Sequence, residues 1–320
     1  MSDAAPPATA GTGAGQTGGS VIGANFVCML SMIIWASVLP AGDYVIRLLP
    51  ALPLTAARIG IAAICLLVFW CAIEGVGVLR QANWPKALLI GGATIGFGAI
   101  CLVVSQGMTD AVTVAVISAS MPVVGMALEV ATDGRKVTPA LLVGMALSLC
   151  GAVIALWGTP STSVNLGWGA AILLVSVITF TIGSRLTVTA FPELTPLGRT
   201  TVTITGAALI VTLVSLCASA AGAEPAAWGQ LGLKGWAALA AFGIGGLAIT
   251  QVLWIMSVGR LGIGIATLHM NASPFYVMLL LFAMGGEWIW SRAVGATIVG
   301  LGVLIAQGLI PLGVRKDADI

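Results

Sequence analysis

Charge is what this 320-residue chain has least of: Asp, Glu, Lys and Arg together make up 8% of it. A soluble domain carries about a quarter of its residues as charges, so a water-facing globular fold is excluded. The few charges are also bunched. None occurs from Ala87 to Thr109, Val137 to Ser184, Thr200 to Ala223, Gly235 to Gly259 or Ala293 to Val314. Titratable chemistry is equally scarce, with 1 His and 2 Tyr. No span holds paired carboxylates, no Cys/His/Asp/Glu group has metal-ligand spacing, and no Ser or Cys is set beside a basic residue in a pattern that would make it a nucleophile. A catalytic set, a metal site and a cofactor are therefore not expected. The 6 cysteines (Cys28, Cys65, Cys71, Cys101, Cys150, Cys217) lie in apolar segments without framework spacing and read as free thiols. The opening stretch, residues 1–20, lacks both a basic start and an apolar core. It reads as a disordered tail rather than a cleavable leader.

What is present is hydrophobic. Apolar residues make up 59% of the chain and mean hydropathy is +1.10. Apolar runs of about 20 residues match the thickness of a bilayer core at 1.5 Å rise per residue. A transmembrane barrel would alternate apolar and polar residues, and Ala62–Trp70 and Leu141–Leu149 do not. The expected fold is all-α and integral to the membrane, with ten transmembrane helices. Spans are placed near Gly23–Ala41, Leu54–Ile73, Lys86–Gly107, Ala111–Val130 and Pro139–Trp157 in the first half. In the second half they fall near Gly167–Thr187, Pro196–Ala218, Trp236–Val258, Ile263–Met284 and Arg292–Ile310. The domain expectation is a tail at 1–20, a five-helix unit at 21–157, a linker at 158–166, a second unit at 167–312 and a tail at 313–320. Basic residues near span ends divide nine against four when the N-terminus is placed in the cytoplasm, which predicts both termini there.

The halves echo each other. A shift of 152 superposes Trp84 on Trp236, Gly91 on Gly243, Ser105 on Ser257, Gly107 on Gly259 and Pro122 on Pro274. One residue of slip then aligns Val143, Gly144, Gly151 and Ile154 with Val294, Gly295, Gly302 and Ile305. Five spans per copy would make the copies face opposite ways, the sequence trace of an inverted-repeat transporter.

Candidate binding residues are the polar and aromatic groups deep in spans. His269 is the single histidine and sits about 13 Å in from a span end, near the midplane, where an ionisable group marks a functional candidate. A neutral His bonded to a neighbouring helix is the plainer alternative. Asn271 follows it. Pro122 and Pro274 break spans near their middles, freeing carbonyls that a cavity could use. Ser118 precedes the first break. Gln106 ends span three, Gln251 and Trp254 lie in span eight, and Trp35 lies in span one. The two tryptophans are candidates for packing on an apolar or aromatic substrate. Arg58 and Arg199 follow Pro53 and Pro196; either guanidinium could fork onto a carboxylate, or snorkel toward headgroups.

This pattern resembles the drug/metabolite transporter superfamily, in its ten-span EamA group, over about residues 21 to 312. The resemblance rests on Trp35, on Pro53 followed by Arg58, and on Ser118–Pro122 with its echo Asn271–Pro274. It rests also on Gly286-Glu287 followed by Gly295 and Gly302. Asp133-Gly134-Arg135 stands where many members have a Gly-Glu pair, so the first copy departs from the pattern. The resemblance implies two antiparallel five-helix repeats around a central cavity, and export of small metabolites such as amino acids. The expectation is an inner-membrane exporter whose partners are a small-molecule substrate and the lipid bilayer, with no nucleic acid and with a homodimer left open. Spans one to four and six to nine are expected to line the cavity. The alternatives are a nucleotide-sugar or organic-cation carrier, and a non-transporting sensor or assembly protein. Several deep basic residues would mark the first, a deep carboxylate the second and a soluble relay domain the third.

Overall fold

A computed structural model describes residues 20–156 and 167–310. The expected linker and terminal tails, apart from Ser20 at the edge of the first, lie outside the described residues. Among the described residues, eight helices are long and apolar enough to cross a membrane. In chain order they are α1 (Val21–Ile46), α2 (Ala51–Glu74), α3 (Trp84–Gln106), α4 (Thr113–Asp133), α6 (Trp168–Thr189), α7 (Pro196–Ala220), α8 (Gly232–Leu261) and α9 (Ile263–Ala283). Two shorter apolar helices, α5 (Pro139–Ala155) and α10 (Trp290–Ala306), complete the order. No strand occurs among the described residues.

Local chemistry sets several helix starts. Ser20, Asn83, Thr138 and Thr195 each accept a hydrogen bond from a backbone N–H of the first turn, at 3.0–3.2 Å. Such caps contribute about 1 kcal/mol each. Proline then sits in the first turn of α3, α5 and α7, where its missing N–H costs nothing.

Four interruptions fall in repeat register. α4 breaks at Ser120 between Ala111–Ala119 and Met121–Asp133. α9 breaks between Ile263–Met270 and Ser273–Ala283, so each second segment carries its proline, Pro122 or Pro274, in the first turn. α3 widens into a π-helical stretch at Gly91–Gly96, and α8 does so at Ile244–Ile249, one residue from the 152-shifted position. Such bulges are rare and cluster at functional sites.

Glycine sets how closely the helices approach. A Cβ on Gly302 would lie 2.6 Å from the Gly144 carbonyl, and one on Gly151 would lie 2.5 Å from the Gly295 carbonyl. The contact therefore maps onto itself when equivalent residues of α5 and α10 are exchanged. At Gly91 of α3, a side chain would collide with the Thr203 carbonyl of α7. Apolar clusters fill the rest. Met32, Ile255, Leu268 and Val299 join α1, α8, α9 and α10, while Ile59, Ile95, Ile204 and Val211 join α2, α3 and α7.

Candidate functional site

The interrupted helices surround a cavity of about 460 Å³. That is within the usual range for a small-molecule site, roughly 300–1,000 Å³. Its wall comes from α1 (Ser31, Met32, Trp35), α2 (Arg58, Ile59), α3 (Ile95, Gly98, Ala99, Leu102) and α4 (Ala115, Ser118, Ala119, Met121). Opposite these stand Phe180 with Leu173, Ser176 and Val177 of α6, Ile204 of α7, Gly246, Leu247, Thr250, Gln251 and Trp254 of α8, and Met270, Asn271, Ser273 and Pro274 of α9. The expected lining by spans one to four and six to nine needs one correction. Ala152 of α5 and Leu156 just after it also face the space. No residue of α10 is on the wall.

Trp254 is nearly fully buried; its Nε1 donates to Ser184 Oγ at 3.0 Å and its ring stacks on Phe180 at 6.3 Å between centroids. Trp35, Ser118 and Pro274 line the cavity as well. Asn271 does so while its amide donates to Ser148 Oγ at 3.0 Å and to the Ala119 carbonyl at 3.3 Å. It thereby ties the α9 break to α4 and α5. Ser31, Ser176 and Thr250 spend their hydroxyls on helix carbonyls of Thr250, Gly98 and Gly246.

Arg58 and Arg199, alike in the sequence, differ here. Arg199 donates to the carbonyls of Leu194 and Val188, fastening the loop after α6. Arg58 faces the cavity and makes no hydrogen bond or ion pair with any described residue; its Nε is buried without a partner. One face of its guanidinium is covered by the Phe242 ring, 4.5 Å away. Gln251, 6% exposed, likewise keeps Nε2 without a partner.

Three expected residues fall elsewhere. Gln106 is exposed at the last turn of α3 and off the wall, because the buried face of that turn belongs to Ser105. His269 is buried behind the wall, with Nδ1 3.3 Å from the Ile265 carbonyl one turn back on its own helix. Pro122 is buried in the scaffold beside the wall residue Met121.

With this geometry in view, likeness to known proteins becomes informative. Residues 22–157 match the model of the EamA-like transporter family. The chain is 25% identical over 259 residues to "Uncharacterized transporter YyaM" of Bacillus subtilis (strain 168), covering 79% of this chain and 83% of that protein. The chain is an EamA-type transporter of the drug/metabolite transporter superfamily. It is a multi-pass membrane protein. A solved structure whose description names no activity superposes on this EamA-type chain with a TM-score of 0.76 at 19% identity. It covers 91% of this chain and 98% of that one, and establishes likeness of fold alone.

At one end of this EamA-type bundle the helix ends are tied to one another. At that end Glu129 of α4, 4% exposed, accepts a hydrogen bond from the Gly264 N–H of α9 at 3.0 Å and pairs with Arg135. Gly262, at φ +81, allows the sharp turn between α8 and α9 that presents this N–H. Asp133 of α4 pairs with Arg185 of α6, and Lys86 of α3 reaches the Ala190 carbonyl. Trp254, Ile204 and Met270, the wall residues nearest this end, stand roughly two helical turns inside it. At the other end Leu102 and Leu173 bring the wall close to the helix termini, and Leu156 carries it just past α5. Sequence reasoning missed Phe180 and Met270. Glu129 reads from the sequence as a solvated or capping acid near a span end; it is buried, and it caps the start of α9.

Proposed function

We propose that the protein is a secondary transporter of the inner membrane that exports small metabolites, amino acids with aromatic or apolar side chains among them, by alternating access. The observation that carries this is the cavity itself. It is about 460 Å³, lies at the level of the helix breaks, runs toward one face and is sealed from the other by contacts between helix ends. Its wall offers the aromatic surfaces of Trp35, Phe180 and Trp254 to an apolar body. The second half acts as a second EamA-like repeat, inverted relative to the first. Ten helices span the bilayer, with α5 and α10 tilted little and both termini cytoplasmic, the sealed end being the cytoplasmic one. The repeated breaks, the repeated π stretches and the self-exchanging glycine contact support that reading. One cation and no carboxylate line the cavity, which disfavours a nucleotide-sugar carrier and an organic-cation carrier alike.

The test is counterflow in reconstituted vesicles, preloaded and challenged with a panel of amino acids, amines and organic acids. Exchange of at least one aromatic or branched amino acid is expected. If every amino acid fails, this substrate class is wrong.

A further inference from the structure

Resting on that transport reading, we infer that the cavity reads its substrate through a carboxylate at Arg58 and has no corresponding group for an ammonium. The substrate class is an amphipathic organic acid, one carboxylate on an apolar or aromatic body, of which amino acids are one kind.

The polar wall is unevenly committed. Ser31, Ser176, Thr250 and Asn271 already donate to carbonyls or hydroxyls of neighbouring turns, and the Trp254 indole donates to Ser184. The fully buried donors left without a partner on the wall are Arg58 Nε and Gln251 Nε2. Both give protons and take none. A guanidinium taken out of water without a counter-ion is strongly penalised, and the Phe242 face offsets only part of that. A bound carboxylate supplies the missing charge and fills two donors at once.

No acid stands ready for the opposite charge. Among the described residues the wall contains no Asp or Glu, and the buried Glu129 is held at the sealed end by Arg135 and the Gly264 N–H. An ammonium entering this space would meet one fixed cation and only uncharged acceptors, namely aromatic faces, hydroxyl lone pairs and the amide oxygens of Gln251 and Asn271. Gln251 lies nine residues beyond Phe242 on α8, roughly 13 Å along the axis, so it serves a second, neutral acceptor deeper in the cavity.

Three probes that share a phenyl ring separate the charges: 3-phenylpropionate, phenylalanine and 2-phenylethylamine. Binding to the purified full-length protein in detergent is titrated by its tryptophan fluorescence, since Trp35 and Trp254 face the cavity. The acid is expected to bind at least as tightly as phenylalanine, and the amine at least about tenfold more weakly. Arg58→Gln should weaken the acid by about tenfold or more and leave the amine unmoved, while Arg58→Lys restores part of the loss. Equal binding of amine and acid, phenylalanine binding far more tightly than 3-phenylpropionate, or no binding by any probe would each overturn the inference. Should Arg58→Gln fail to fold, the wild-type ranking and Arg58→Lys still decide it. The same probes in vesicle counterflow separate the two readings. Binding of the acid without exchange sinks the carrier and leaves the carboxylate site standing, whereas exchange of phenylalanine with no binding of the deaminated acid does the reverse.

Discussion

The tryptophan and the histidine, both deep in the bundle, are held in different ways. Trp254 has one edge on Ser184, one face on Phe180 and the rest on the cavity, so it both builds the wall and offers it to a ligand. Trp254→Phe keeps the stacking and loses one buried hydrogen bond, a cost of about 1–2 kcal/mol to stability. Trp254→Ala removes the stacking surface too, and should weaken aromatic ligands by about tenfold or more, read in the fluorescence of Trp35 or by competition. Equal ligand affinity in the Phe and Ala variants would mean that the ring touches no substrate. His269 makes the opposite case. Its ring nitrogen faces a carbonyl of its own helix and the side chain is absent from the wall. A His in that setting is held by packing. The pH profile of counterflow between about 5 and 8 should therefore be the same in His269→Gln as in the parent. A profile that flattens in the variant would instead give this lone, mid-span histidine a proton-linking role.

Among the elements, the broken helices were legible and the faces they present were not. Pro122 and Pro274 predict interruptions because proline removes a donor wherever it stands, and both helices restart there. The glycine register predicts close contact of α5 with α10 for the same local reason, since a missing Cβ lets two backbones touch. Rotation about the helix axis is another matter. In a bilayer both the lipid face and the packed face are apolar, so composition gives no amphipathic signal for which side meets the cavity. Gln106 was misplaced on that account, and Phe180 was passed over. Two outcomes follow for the elements. Gly302→Leu drives a side chain against the Gly144 carbonyl and should lower the melting temperature in detergent, with an overpacking cost of about 1–3 kcal/mol or more. A variant as stable as the parent would show that α5 and α10 separate freely. Glu129→Ala removes the acceptor that holds α9 to α4 at the sealed end. Cys28, fully buried with its thiol 3.8 Å from the Ala266 carbonyl, lies on the sealed side of the cavity and reports opening there. Its alkylation, followed peptide by peptide, should speed up several-fold in Glu129→Ala; an unchanged rate would mean that Glu129 does not keep this end shut.

For the whole molecule the question is whether the two halves run in opposite senses, and the arrangement of α4 against α9 bears on it directly. Glu129 stands in the last two turns of α4 and meets Gly264 in the first turn of α9, so the end of one copy's fourth helix lies beside the start of the other's. Two copies pointing the same way would place like ends together. Under the 152-residue shift Arg135 and Glu287 are equivalent positions, each just beyond the end of its copy's fourth helix. Lys136 and Glu287 are both exposed, so a cysteine at either is open to reagent. In a background lacking the six native cysteines, Lys136→Cys should react with a membrane-impermeant maleimide only in inside-out vesicles. Glu287→Cys should react only in right-side-out ones. Labelling of both from the same side would make the repeats parallel, and would remove the symmetry argument by which the cavity could open to either face in turn.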